Sequence, residues 1–167
     1  MKMYWFRILA LAALLFANVA AADILHGRVV GVSDGDTVKV LDASNYLFKI
    51  RLMGIDAPEK KQSFGAESKE HLSALVFNRQ VSVEYSKKDK YGRTVGKITV
   101  DGVDANLEQV KAGLAWHYKQ YQREQSVADR AAYSQAEEFA RDEQRGLWIE
   151  SEPTPPWVWR HQRKGRN

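Results

Sequence analysis

Residues 24–58 read ILHGRVVGVSDGDTVKVLDASNYLFKIRLMGIDAP, and the order of strand and turn signals in this stretch decides the fold. Ile24 to Ser33 is rich in valine and isoleucine and stops at the turn cluster Ser33-Asp34-Gly35-Asp36. Thr37 to Leu41 resumes the strand character, which makes a hairpin. Asp42-Ala43-Ser44-Asn45 is a second turn, and Tyr46 to Ile55 is a third strand candidate that ends before Pro58. Arg51 and Asp56 are five residues apart, so strict alternation would send them to opposite faces. Gly54 lies between them and is the natural place for a bulge or kink that turns Asp56 to the side of Arg51.

Beyond this stretch the period changes. From Gly65 to Asn78, Ala66, Leu72, Leu75 and Val76 recur at helical spacing, with Glu67, Lys69 and Glu70 on the outward side. Val81 to Tyr85 and Thr94 to Val100 alternate as strands around the polar loop Ser86 to Arg93. Asp104 is placed to cap a short helix that closes at Gly113. Ser126 is placed to cap a longer one, with Ala128, Ala131, Ala132, Ala136, Phe139 and Ala140 as its apolar stripe. Gly146-Leu147-Trp148 ends that helix, and Pro153, Pro155 and Pro156 are expected to break regular structure. Five short strands, with a helix between the third and fourth and more helices at the end, suit a small closed barrel such as the OB-fold: an α+β chain, mainly β.

The 167 residues suffice for one properly buried core, and a 44% hydrophobic, 28% charged mixture excludes wholesale disorder, collagen and a polytopic membrane protein. The absence of cysteine removes disulfide frameworks, thiolate nucleophiles, zinc ribbons and lipidated cysteines together. His26, His71, His117 and His161 show no paired spacing, so oxygen-bound calcium or magnesium is favoured over zinc or iron. Residues 1–22 read as an export signal: Lys2 and Arg7 are followed by an apolar run from Ile8 to Ala17 and by the small residues Ala20-Ala21-Ala22. A periplasmic or secreted protein without stable membrane insertion is expected. The signal and the tail 151–167, with Arg160, Arg163, Lys164 and Arg166, carry much of the formal net charge of +4. The basic balance therefore does not by itself argue for a nucleic-acid partner.

Four features converge along residues 23–150: Asp34-Gly35-Asp36-Thr37; Arg51 with Ile55-Asp56-Ala57-Pro58-Glu59; Asp89-Lys90-Tyr91-Gly92-Arg93; and Gly113-Leu114-Ala115. Each alone reads as an ordinary turn or loop. In this order and separation, from about Ile24 to Trp148, the set resembles the staphylococcal nuclease family, the calcium-dependent thermonucleases. The resemblance implies a five-stranded OB-fold barrel with three helices, and sugar-nonspecific hydrolysis of DNA and RNA phosphodiesters to 3′-phosphate ends. A monomer acting on DNA or RNA is expected.

Hydrolysis of a phosphodiester needs a cation against the phosphate, a carboxylate to orient or deprotonate water, and donors for the charge of the transition state. On the resemblance, Asp36, Asp56 and the backbone carbonyl of Ala57 would hold Ca²⁺, and Glu59 would serve as general base. Arg51 and Arg93 would clamp phosphate oxygens with planar paired donors. Lys90 and Tyr91 match residues that hold a neighbouring phosphate, and Tyr121 is the candidate for stacking a base. Three departures stand out. Ala57 replaces the usual threonine, Lys60 to Phe64 is shorter than the basic loop of the best-known member, and Trp116, Tyr118 and Tyr121 do not align cleanly with its stacking tyrosines. The tail around Trp157 and Trp159 would pin an arm to the barrel or touch nucleic acid. The main rival is a noncatalytic OB-fold module that binds single-stranded nucleic acid, and a second is an envelope protein that keeps only the fold.

Overall fold

The computed structural model describes residues 22–165; residues 1–21, on which the export-signal reading falls, and Arg166 of the tail lie outside them. Strand β1 (Asp23–Asp34) pairs antiparallel with β2 (Thr37–Asp42) through its second half and with β5 (Gln80–Lys88) through its first half. Register shifts between Val29 and Gly31 and between Val32 and Asp34 bend it so that one strand serves both neighbours. β3 (Leu47–Leu52) follows β2 antiparallel, and β5 pairs antiparallel with β6 (Thr94–Val100). Parallel pairing of β3 with β6, Ile50 opposite Thr94 and Leu52 opposite Gly96, closes the five strands into a barrel and leaves no free edge between them.

The expected break at Gly54 is present. The third strand stops at Leu52, turns at Met53-Gly54, and resumes as the two-residue β4 (Ile55–Asp56), with Gly54 at φ 76°, a left-handed conformation that glycine adopts without strain. β4 leaves the barrel sheet and pairs antiparallel with β8 (Trp116–His117). Asn106, fully buried, holds the turn: its amide donates to the carbonyls of Met53 and Gly96, and its oxygen accepts from the Ile98 N–H.

Helices α1 (Gly65–Val76), α2 (Ala105–Lys111) and α3 (Val127–Asp142) lie where the periodicity predicts, with Asp104 and Ser126 as N-caps that accept from Leu107 N and Asp129 N. A two-residue strand β7 (Val103–Asp104) leads into α2. Val29, Val38, Val40, Ile50, Leu52, Val83 and Ile98 fill the barrel, while Leu72 and Val76 of α1 and Val110 of α2 close one end. At about 1.5–3 kcal/mol for each fully buried aliphatic side chain, this cluster dominates the stability.

Two expectations about the C-terminal third are corrected. On α3 the buried face is Tyr133, Ala136, Glu137 and Ala140, while Ala128, Ala131 and Phe139 are exposed. Polar ends turn the helix: the Tyr133 hydroxyl donates to Asp104, and Glu137 accepts from His117 N and Lys119 Nζ. The tail is not irregular either. Pro156 occupies the first turn of a fourth helix, α4 (Pro156–Lys164), where its missing N–H costs nothing, and Trp157 packs against a second cluster of Trp116, Ala140, Leu147 and Trp148.

Candidate active site

The β1–β2 turn, β3 and β4 bring one set of charged groups together. Asp36 is nearly buried, and its Oδ2 accepts from the Ala57 N–H at 2.8 Å and lies 3.1 Å from Arg51 Nη2. The same Nη2 donates to Asp56 Oδ1 at 2.8 Å, while Arg51 Nη1 donates to the carbonyls of Leu52 and Ile55. The detour at Gly54 thus folds Asp56 back onto the side of Arg51. The turn that carries Asp36 is fixed from behind: buried Gln109 donates to the Gly35 carbonyl at 2.6 Å and to the Ser68 carbonyl at 3.0 Å. Glycine is required there by close approach, since a Cβ on Gly35 would meet Ser68 Oγ at 1.8 Å and the Ala57 Cβ at 2.8 Å.

Glu59 stands on the irregular segment between β4 and α1, its side chain two-fifths exposed. It reaches the Asp56 carboxylate through a residue for which the sequence suggests no role in the site. Arg160 of α4 donates to Asp56 Oδ2 at 2.8 Å, to Asp56 Oδ1 at 3.2 Å and to Glu59 Oε1 at 2.9 Å. A second addition is Asp34, whose Oδ1 accepts from the Asp36 N–H. The signals were present: Asp34 lies inside the turn motif, and Arg160 lies three residues after Trp157 in a helix-starting Pro-Pro context.

Burial pushes the Asp34 carboxyl up to about 6, with the charge of Asp36 acting in the same direction. Burial also raises Asp56, against the opposing pull of Arg160 and Arg51. Arg160 is held more firmly protonated than a free arginine because Asp56 and Glu59 outweigh its partial burial. Four carboxylates (Asp34, Asp36, Asp56, Glu59) thus meet two guanidiniums (Arg51, Arg160), an excess of acid that a hard divalent cation would relieve. The donor chemistry, all oxygen, fits such an ion. Among the described residues no three acidic, histidine or cysteine side chains form a ready cage, so a cation held here would keep waters or substrate oxygens in its shell.

Arg93, Lys90 and Tyr91 belong to the β5–β6 loop. Arg93 Nε donates to Asp89 Oδ2 at 2.7 Å, Asp89 Oδ1 accepts from the Tyr91 and Arg93 N–H groups, and these bonds hold Asp89 below the usual carboxylate range despite some burial. The Tyr91 ring is exposed, with Lys90 Nζ 5.1 Å and the Arg93 guanidinium 5.6 Å from its centroid. No hydrogen bond or ion pair among the described residues joins this group to Asp36, Asp56 or Glu59. Tyr121 is exposed and meets Tyr118 edge-on at 5.0 Å; Tyr118 in turn stacks on Trp157. Trp116 is largely buried and pairs with Asp56 across β4 and β8.

Residues 49–150 match the family model described as staphylococcal nuclease homologue. Among curated proteins, the chain is 44% identical to an uncharacterized endonuclease of Escherichia coli over 87% of this chain and 90% of that one. It is 44% identical to an uncharacterized endonuclease of Haemophilus influenzae over 82% and 74%, and 34% identical to a micrococcal nuclease of Shigella flexneri over 95% and 93%.

Proposed function

The chain belongs to the staphylococcal nuclease family, and on that premise we propose that it is a Ca²⁺-dependent, sugar-nonspecific nuclease that hydrolyses DNA and RNA phosphodiesters to 3′-phosphate products. The observation that carries this reading is the junction of Asp36, Arg51, Asp56 and the Ala57 backbone, with Glu59 linked to it through Arg160. A module that only binds nucleic acid gains nothing from an excess of buried acid that repels phosphate. Names of relatives that include endonuclease and micrococcal nuclease support the same class.

Asp36 and Asp56 would hold the cation, with the Ala57 carbonyl as a further oxygen donor. When bound, the ion would neutralise the scissile phosphate and polarise its P–O bonds. Glu59 would orient a water for in-line attack on phosphorus and accept its proton as the bond to the 5′ oxygen breaks. Arg51, whose Nη1 is held by two carbonyls, would offer its Nε–H, and its Nη2 once a cation takes over the two carboxylates, to a phosphate oxygen, and Arg93 would donate from the β5–β6 loop. Lys90 and Tyr91 would hold the adjacent phosphate, and Tyr121 would offer a face to a base.

We further propose residues 1–22 as an export signal, 23–150 as the nuclease domain and 151–167 as a basic C-terminal tail, with periplasmic or secreted placement and a monomeric state. Among the described residues no helix is long and apolar enough to cross a membrane. The test is digestion of single-stranded DNA, duplex DNA and RNA by the chain from Asp23 onward, with Ca²⁺, with Mg²⁺ and with a calcium chelator. Ca²⁺-dependent cleavage to 3′-phosphate ends is the expected result. Binding without cleavage under every cation would establish the OB-fold binding module instead.

A further inference from the structure

We propose that Arg160 is a positioning residue of the hydrolytic site, delivered by the C-terminal arm, which ties the Glu59 carboxylate to the Asp56 carboxylate and sets the direction in which Glu59 faces the attacking water. The inference rests on the nuclease reading above and extends it to a residue outside the family match over 49–150.

One guanidinium makes three hydrogen bonds to two carboxylates separated from it by 101 and 104 residues in sequence. Only a planar fork can hold both oxygens of Asp56 and reach Glu59 as well; an ammonium is a single point of charge. Glu59 needs such a partner, because a partly exposed glutamate on an irregular segment would otherwise spread over several rotamers.

The arm is built to stay. Trp157 stacks on Tyr118 with centroids 5.2 Å apart and planes 13° apart, and meets Trp116 edge-on at 5.5 Å. The segment that carries Glu59 is gripped from its other side too: Gln62 Nε2 donates to the Thr154 carbonyl at 2.5 Å, and the Ser63 hydroxyl donates to Glu150. Trp159 lines a small cavity with Pro58 and Gln62. The tail therefore braces the backbone of the Glu59 segment while Arg160 fixes its carboxylate.

The test compares the purified wild-type protein with Arg160→Ala and Arg160→Lys, using steady-state cleavage of single-stranded DNA over a range of Ca²⁺, thermal melting, and amide hydrogen exchange of residues 59–65 without metal. Arg160→Ala should lower kcat by about 10- to 100-fold, the cost of a misplaced catalytic group, with KM within about threefold. Exchange at Gln62 and Gly65, whose amides bond within this segment, should quicken. Arg160→Lys should recover part of kcat by keeping one bond to Glu59. If Arg160→Ala does not fold, the lysine variant carries the same kinetic comparison.

Unchanged kcat in a folded variant overturns the proposal, as does a rise confined to KM, which would make Arg160 a phosphate contact. Faster cleavage by Arg160→Ala at low Ca²⁺ also overturns it, by identifying an occluding latch. A wild-type protein inert with every cation would remove the nuclease reading instead, and hydrogen exchange would still decide whether Arg160 holds the Glu59 segment.

Discussion

The two groups of charge assigned to phosphate chemistry are held in opposite ways. Asp36 on the β1–β2 turn, Arg51 on β3 and Asp56 on β4 are fixed by one another and by partners drawn from Ala57, α2 and the C-terminal arm. Lys90, Tyr91 and Arg93 sit on a loop whose order comes from one neighbour, Asp89, four residues or fewer away. The first group, the floor, has almost no conformational freedom, at the cost of burying charge that must stay compensated. The second, the rim, is solvated and cheap to hold, and on the proposed function its loop would adjust to the phosphates of a polymeric substrate.

The largest effect that bears on this contrast is expected at the floor. Glu59→Gln should lower kcat by about 10²- to 10⁴-fold, the usual contribution of a general base, with melting close to wild type because Glu59 is partly exposed. Measured turnover within tenfold of wild type would remove Glu59 from the mechanism. Next, Asp56→Ala leaves Arg51 and Arg160 without their shared partner and should destabilise by about 3 kcal/mol. For a domain of this size that is a Tm drop of roughly 6–10 °C. The matching change on the rim, Asp89→Ala, should cost about 1 kcal/mol or less. Equal losses in calorimetry would erase the distinction between the two regions.

Arg93→Ala should act on rate and not on stability, with about a 10²-fold loss of kcat and a Tm within a few degrees of wild type. A loss of stability comparable to that of Asp56→Ala would place Arg93 in the floor. The smallest effect concerns the back wall, where His117 pairs with Ile55 beside the site and burial holds its imidazole below the usual histidine range. Its folded pKa lies below that of the unfolded chain, so unfolding takes up a proton as pH falls. The stability contributed by neutral His117 is present above about pH 6.5 and is lost as pH drops through that value toward the folded pKa. Asp34, raised to about 6, takes up a proton in the folded state over the same range and acts in the opposite sense, so the test is a difference: from pH 7.5 to 5.5 the Tm of wild type should lose a few degrees relative to that of His117→Gln in a melting series.

Local signals carried much of this architecture. The turn at Asp34-Gly35-Asp36, the break at Gly54 and the caps at Asp104 and Ser126 depend on residues close in sequence, and each lies where the chain predicts it. Five strands bounded by such turns leave few ways to bury their apolar faces, so a small barrel follows from pattern alone. The acidic and arginine residues of the floor were legible as types and spacings.

What the chain did not disclose on its own depends on distant partners. The buried side of α3 is chosen by what Tyr133 and Glu137 can reach, Asp104 in one case and His117 with Lys119 in the other, and not by which residues are apolar. Pro155-Pro156 reads locally as a stop, yet a proline at the first helical turn also starts a helix when the aromatic cluster beyond it offers a surface to pack on. Asp34 joins the site through burial next to Asp36, and Arg160 through a contact across 104 residues. Periodicity and turn chemistry report on a few neighbours at a time, whereas the pairing of a charge is settled by whichever opposite charge the folded chain brings within about 3 Å of it in a dry environment. The sequence by itself determined the barrel, the order of its strands and the chemical types at the floor. Only the tertiary structure decided that the C-terminal arm completes that floor.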